Sequence, residues 1–211
     1  MEPRNLADAG EPAGDVPDVP AAFRAALESL ASVRIRPEIE LEHIPAPKRL
    51  APYAHAIGAR VPDPDGDGGE DDLEIASARF IVLFDPDGHE AWHGTMRCVG
   101  YLSAATDEQL VDDTMFSEVA WSWLTDALAE AETGHHTVGG TVTRTASTRF
   151  GELAGPEHSV DVEIRASWTA EGTDLDRHLL AWLEVLGNAA GLPPPGVRLL
   201  GPSDRVGSET L

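Results

Sequence analysis

The chain has 211 residues, 37 acidic side chains against 15 Lys and Arg, and a formal net charge of −22; this length suits one domain that folds without a metal or disulfide framework. The charge repels phosphate backbones and the basic residues are scattered, so nucleic acid is excluded as a partner. The single cysteine, Cys98, and the lack of any apolar run near the ~20 residues of a membrane span predict a cytoplasmic protein with no membrane partner.

Composition divides the chain into one domain and two tails. Residues 1–17 carry no hydrophobic periodicity and little bulk, so we expect a disordered acidic tail there. Residues 193–211 have the same character and are expected to be mostly disordered. Residues 18–192 form the predicted globular domain.

The domain opens with a predicted helix that begins near Asp18 and ends before Val33. From Arg34 the hydrophobic period changes to two, which predicts a strand that ends before Pro45. A second strand is predicted over residues 53–61 from the same alternation.

Two pairs of strands and two further helices follow. Residues 73–84 and 91–102 are predicted to form a hairpin closed by a type I turn over residues 85–88, and residues 137–149 and 159–169 form the second pair. Between the pairs, a capping-box pattern at Thr106 and Gln109 precedes a helix that ends at Gly134, and a last helix opens at Thr173. Strands joined by short turns pair antiparallel, so we predict an α+β fold with a largely antiparallel sheet and about three helices mainly on one face.

Seven segments of this domain together carry a family resemblance: VPAAFRAALESL, IRPEIELEHIPAPKRLAPYA, DPDGHEAWHGTMR, EVAWSWLTDAL, GGTVTRTASTRFG, VEIRASWT and LAWLEVLGNAAGLPP. They resemble an actinobacterial family known as domain of unknown function 3000, over about residues 17–197. The resemblance implies an uncharacterised cytosolic protein and implies no activity, cofactor or catalytic residue.

The segment from His89 to His93 matches the zinc motif H-E-x-x-H. In zinc proteases a helix places both imidazoles on one face. Here the match follows a turn glycine and enters a predicted strand, which would separate the two residues by roughly 13 Å. We therefore predict that His89 and His93 hold no zinc.

Residues 63–74 match the spacing of a calcium-binding loop. The would-be ligands are Asp63, Asp65, Asp67 and Glu74. The segment after the match has the pattern of a strand where a calcium-binding helix would be required. We expect a solvated acidic loop, and a calcium site remains the alternative.

Arg144 is the most informative charged residue. Period two places it between Val142 and Ala146 on the buried strand face, where a guanidinium requires a carboxylate or a bound anion. We predict an internal carboxylate. The alternative is an anion-binding groove that Arg144 shares with Arg97 and Arg149.

Three tryptophans, Trp123, Trp168 and Trp182, are predicted to be core, and Cys98 to be a buried apolar side chain. Trp121 lies about 140° from Phe116 around its helix, so it edges the core or anchors a partner.

No predicted nucleophile, base or metal set has the local structure that its chemistry requires. We therefore expect a binding or protein-interaction module without enzymatic activity and without a cofactor, whose partner is a protein or a small molecule. The alternatives are a small-molecule enzyme or anion-binding protein with an Arg-lined groove, and a calcium-binding protein.

Overall fold

The computed structural model describes residues 19–63, 74–106, 113–152 and 158–194. The predicted N-terminal tail, most of the C-terminal tail and most of the acidic loop lie outside the described residues. The helices are α1 (Ala21–Ala31), α2 (Phe116–Glu130) and α3 (Leu175–Ala189), and the strands are β1 (Glu40–His43), β2 (Tyr53–Pro62), β3 (Glu74–His89), β4 (Gly94–Thr106), β5 (His135–Thr148) and β6 (His158–Ala170).

The six strands form one sheet in the order β1-β2-β3-β4-β6-β5, and every neighbouring pair is antiparallel. The predicted α+β architecture is confirmed. β6 comes last along the chain and yet lies between β4 and β5, so β5 ends the sheet on one side and β1 on the other.

The helices cover one face of this sheet, which the cross-strand register identifies. Phe80, Gly100, Ala166 and Gly140 oppose one another across four strands and share that face. A Cβ on Gly100 would lie 2.6 Å from the Trp182 ring of α3, and a Cβ on Gly140 would lie 2.7 Å from the Trp121 ring of α2. α1 joins the same layer, because the ring of its Phe23 stacks on that of Phe84 in β3 at 5.7 Å.

Alternation along the strands explains why this face is the core. In β6 every second residue from Val160 to Trp168 is buried. Trp168 and Trp182 are fully buried, as predicted, whereas Trp123 packs against the core but is half-buried. Cys98 is fully buried, as predicted, and burial raises the pKa of its thiol.

The turn of the β3–β4 hairpin was predicted over residues 85–88 and lies later. β3 continues to His89, and a one-turn 3-10 helix, Glu90–Trp92, reverses the chain. The pairing register shifts between Phe84 and His89, so residues 85–88 form an irregular stretch inside the strand. The left-handed glycine expected at Gly88 is present, with a φ of 81°.

The predicted start of β1, the predicted end of β4 and the predicted start of α2 are also wrong. β1 is shorter than predicted because the chain turns at residues 36–39, where the Ile39 amide donates to the Arg36 carbonyl. Thr106 ends β4, and α2 begins at Phe116, whose amide donates to the Asp113 carbonyl. Gln109 lies outside the described residues.

The first turn of α3 is capped by a residue from another helix. Ser29 of α1 accepts a hydrogen bond from the Asp176 amide at 2.9 Å and donates to the Asp176 carboxylate at 2.9 Å. The predicted cap at Thr173 is therefore replaced by a tertiary contact that ties the first helix to the last.

Candidate functional site

Arg97 and Arg144 lie on opposite faces of the sheet. Arg144 opposes Val162 and so lies on the face that the helices cover. Arg97 opposes Thr169. Thr169 is odd-numbered and Val162 is even-numbered, so their side chains lie on opposite faces of β6. Arg97 therefore lies on the face without helices, here called the open face. The structure therefore does not bring these two guanidinium groups into one groove.

Arg97 is buried and is bound by neutral oxygens. Its Nη1 atom donates to the carbonyl of Thr137 at 2.8 Å and to Thr169 Oγ1 at 3.0 Å, and its Nη2 donates to Ser167 Oγ at 2.6 Å. Burial lowers the pKa of this guanidinium. The side chain of Arg97 links β4 to β6 and to the beginning of β5, so its role is structural.

Arg144 is half-buried rather than buried. Its Nη1 donates to the carbonyl of Asp113 at 2.7 Å, and its guanidinium lies 5.7 Å from the centre of the Phe116 ring. The predicted strand face is correct. The contacts of this side chain include a main-chain carbonyl and an aromatic ring, and the predicted carboxylate partner stays a prediction.

The other candidates of the sequence lie near the same edge of the sheet. Arg149 is half-buried and follows directly after β5. Trp121 is half-buried and packs on Gly140 of β5. A Cβ at position 140 would clash with the Arg165 carbonyl of β6 and with the Trp121 ring, so glycine is what allows the indole ring to approach the strand this closely.

The H-E-x-x-H match folds as a tight turn between strands. The His93 amide donates to the His89 carbonyl at 3.1 Å, so the strand separation of roughly 13 Å that we expected is wrong. His89 Nδ1 accepts from the Ala91 amide at 3.2 Å, and its ring stacks on Trp92 at 4.4 Å. These contacts involve the His89 imidazole, and the absence of zinc at His89 and His93 stays a prediction.

Of the calcium-loop residues, Asp65 and Asp67 lie outside the described residues. Asp63 follows β2, and Glu74 opens β3, where it pairs with Pro62. Within the described ranges no group of three or more His, Cys, Asp or Glu side chains is placed to hold a metal ion.

A network of polar side chains crosses the open face, and sequence reasoning singled out only its neighbour Arg97. Tyr101 donates to Glu163 at 2.9 Å, and Arg165 Nε donates to the same carboxylate at 2.8 Å. Arg165 and Tyr101 lower the pKa of Glu163, and the bond to Glu163 raises the pKa of Tyr101. Arg79 and Gly58 continue this row into a shallow groove of about 320 Å³.

A larger groove lies on the helix side of the molecule. It holds about 690 Å³ between α2, α3 and the segment before β1, and its lining is mostly apolar. Ile35, Ile39 and Leu183 contribute to that lining, with Arg36 and Glu184 among its charged residues.

The outer edge of β5 is the third surface. None of the 14 residues of β5 is buried, and β6 is its one sheet neighbour among the described residues. After a shift in register at residues 137–138, Gly139 to Thr148 pair regularly with β6. This ten-residue stretch therefore presents a regular main-chain edge.

The family assignment follows from the sequence. The model of the DUF3000 family, proteins of unknown function, matches residues 19–198. This chain belongs to the DUF3000 family. No curated protein and no solved structure matches this DUF3000 chain. None of the helices that the structure describes is long and apolar enough to cross a membrane.

The three surfaces give this DUF3000 protein different chemical capacities. The open face and the helix-side groove bring together side chains that are already engaged with one another or that are mainly apolar. The β5 edge presents main-chain donors and acceptors, which bind another strand without special side chains.

Proposed function

We propose that this DUF3000 protein is a protein-interaction module that binds its partner along the exposed edge of β5. The observation that supports this most directly is the regular ten-residue stretch from Gly139 to Thr148, with no described strand on its outer side. Main-chain hydrogen bonds supply the affinity in such strand addition, and side chains on alternate faces supply selectivity.

The two edges of the sheet differ in how they discourage pairing. β1 has four residues, two of them Glu40 and Glu42, and Pro45 follows shortly after. Short length, charge and proline are the usual means of protecting a sheet edge. The regular part of β5 is ten residues long and contains no proline, and its single charged residue, Arg144, donates to the Asp113 carbonyl.

Exposed apolar side chains belong to the helix region that packs on β5. Met115 and Val119 of the α2 region are 56% and 47% exposed, and Met115 is two residues from the Asp113 carbonyl that Arg144 contacts. Half-buried Trp121 packs on Gly140 in the same area. Exposed apolar side chains beside a strand edge are typical of protein-binding surfaces.

We also propose that the protein acts in the cytosol of an actinobacterium. A lone cysteine suits a reducing compartment, and Lys48 is the only lysine among 15 basic residues, a usage typical of GC-rich genomes.

Photo-crosslinking in living cells tests the interaction. A photoreactive amino acid replaces Thr143 on β5, and the matched control replaces Leu180 of α3, which is 41% exposed and far along the chain from the edge. We expect discrete protein adducts from position 143 and none of the same size from position 180. Equal adduct patterns, or none from position 143, would contradict the proposal.

A further inference from the structure

We infer that the partner of the β5 edge is a second copy of this chain, paired strand to strand about a two-fold axis perpendicular to the sheet. The inference rests on the proposed function, because it assigns an occupant to the same edge. A two-fold axis of this kind pairs β5 antiparallel with its copy and joins two six-stranded sheets into one of twelve strands.

Charge is the first argument for a second copy. Two chains of −22 repel each other, so they meet most easily where each carries the least negative charge. β5 contains no Asp or Glu over its 14 residues. The opposite edge has Glu40 and Glu42 within four residues, so the same pairing there would oppose like charges.

The side chains of β5 are also complementary to themselves. Thr141, Thr143, Thr145 and Ser147 line the open face, and Val142, Arg144 and Ala146 line the helix face. The two-fold axis keeps each face on its own side, so hydroxyl residues oppose hydroxyl residues across the new interface. Threonine pairs across antiparallel strands are favourable because their hydroxyls hydrogen-bond and their methyl groups pack.

The helix layers of both copies would lie on the same side of the joined sheet. α2 is the helix that packs on β5, through Trp121 on Gly140 and Phe116 beside Arg144. Met115 and Val119, both exposed, belong to this helix region, so each copy carries apolar groups in the helix layer that packs on the paired strand.

The irregularity at the start of β5 limits the paired segment. The register with β6 shifts between His136 and Gly139, and Thr137 has a φ of 53°. Arg97 holds this bent segment through the Thr137 carbonyl. The pairing segment is therefore Gly139 to Thr148.

Sedimentation velocity over about 1–100 μM full-length protein measures the association. The test variant is Thr143→Lys with Thr145→Lys; both positions are exposed, and they oppose Glu163 and Asp161 of β6, so the monomer tolerates lysine there. The control is Thr95→Lys with Thr125→Lys, two exposed threonines outside β5 with the same change of charge.

We expect the wild type and the control to form dimers and the test variant to dissociate at least roughly tenfold more readily, because lysines then oppose lysines across the axis. Added salt should strengthen the wild-type dimer, since it screens the repulsion of two acidic chains. A wild type that sediments as a 22.5 kDa monomer at every concentration, or a dimer equally stable in the test variant, would overturn the inference.

The crosslinking experiment separates this inference from the proposed function. Adducts at position 143 with the mass of two copies support both. Adducts of a different mass, together with a monomeric purified chain, retain the interaction module and reject the second copy. Absence of adducts rejects both.

Discussion

Gly100 and Gly140 show how single residues set the docking of whole helices. They belong to one row of the sheet, and each leaves space for an indole ring from a different helix, Trp182 of α3 on Gly100 and Trp121 of α2 on Gly140. A glycine inside a strand weakens the strand by itself, so its value here comes from the close approach that it allows.

Gly100→Ala is expected to destabilise the protein by about 1–3 kcal/mol, because its Cβ would lie 2.6 Å from Trp182 Cζ2 in a packed core. Gly139→Ala is the matched control, because a Cβ there meets nothing within 4 Å. Urea unfolding of the two variants and the wild type measures both changes. Equal stability of the two variants would mean that the Trp182 ring moves aside freely.

Burial of His178 predicts a dependence of stability on pH. The residue is 2% exposed, its Nδ1 accepts from Trp168 Nε1 at 3.0 Å, and burial lowers the pKa of its imidazole from 6.5 to about 4. The unfolded chain therefore binds a proton between pH 6.5 and 4 that the folded chain does not. The stabilisation is complete above pH 6.5 and decreases as the pH falls toward 4.

In urea unfolding at pH 7.5 and pH 5, His178→Gln should lose less stability on acidification than the wild type, by at most about 2 kcal/mol. His158→Gln, at an exposed position, is the control and should follow the wild type. Burial also lowers the pKa of His55 to about 4. This residue is present in all three proteins, so it contributes equally to the pH dependence of their stability.

Arg144→Ala is expected to lower stability by about 1 kcal/mol, because the residue is half-buried and the variant loses the hydrogen bond to the Asp113 carbonyl and the contact with the Phe116 ring. A fully buried pair would have cost ~3–5 kcal/mol. Thermal unfolding distinguishes these values. The sequence predicted the strand face of Arg144 from period two, but the neighbour that it contacts comes from the Asp113 segment, which periodicity cannot position.

At the scale of elements, strands with clean alternation were predictable and their ends were not. β6 and the helix-facing rows follow the pattern of the sequence because one face is buried along its whole length. The β3–β4 turn was misplaced because Pro86 and Gly88 are good turn residues that a strand irregularity also accommodates. The β5 edge was missed because single-chain patterns indicate which face of a strand is buried, and strand order across the sheet decides which edge is free.

The connection between β2 and β3 yields an element-scale prediction. Pro62 pairs with Glu74, so the two strands are already joined at the ends of the acidic segment. Replacing residues 64–73 with a short Gly/Ser turn should change the melting temperature little, since loop length affects closure entropy only weakly. A calcium-dependent rise of several degrees in the intact protein, absent from the replacement, would instead establish the calcium-binding alternative.

The net negative charge of the whole molecule opposes its folding. A net charge of −22 disfavours the compact state, and the ion pairs of the described residues, such as Arg60 with Glu40 and Arg165 with Glu163, are at the surface. Family membership and fold class followed from the sequence, because both depend on the pattern of the entire chain. A functional surface depends on a few residues, and those were brought together only by strand order.

Raising the NaCl concentration from about 50 to 500 mM should therefore raise the melting temperature, because screening weakens net repulsion more than it weakens a few surface pairs. Differential scanning calorimetry at equal protein concentration checks the direction. A fall in melting temperature would show that specific ion pairs outweigh the net charge. Dilute samples keep dimer formation from adding to the effect.

The position of β6 in the sheet affects the order in which the strands can pair while the chain is being synthesised. β2, β3 and β4 are consecutive neighbours and can pair as they leave the ribosome, whereas β4 and β5 are joined only through β6. Ser29 and Asp176 are 147 residues apart, so the hydrogen bonds between α1 and α3 can form only after α3 has been synthesised. Until β6 leaves the ribosome, the outer edge of β4 and both edges of β5 have no strand of the described residues to pair with, and a second nascent chain in the same state offers matching edges.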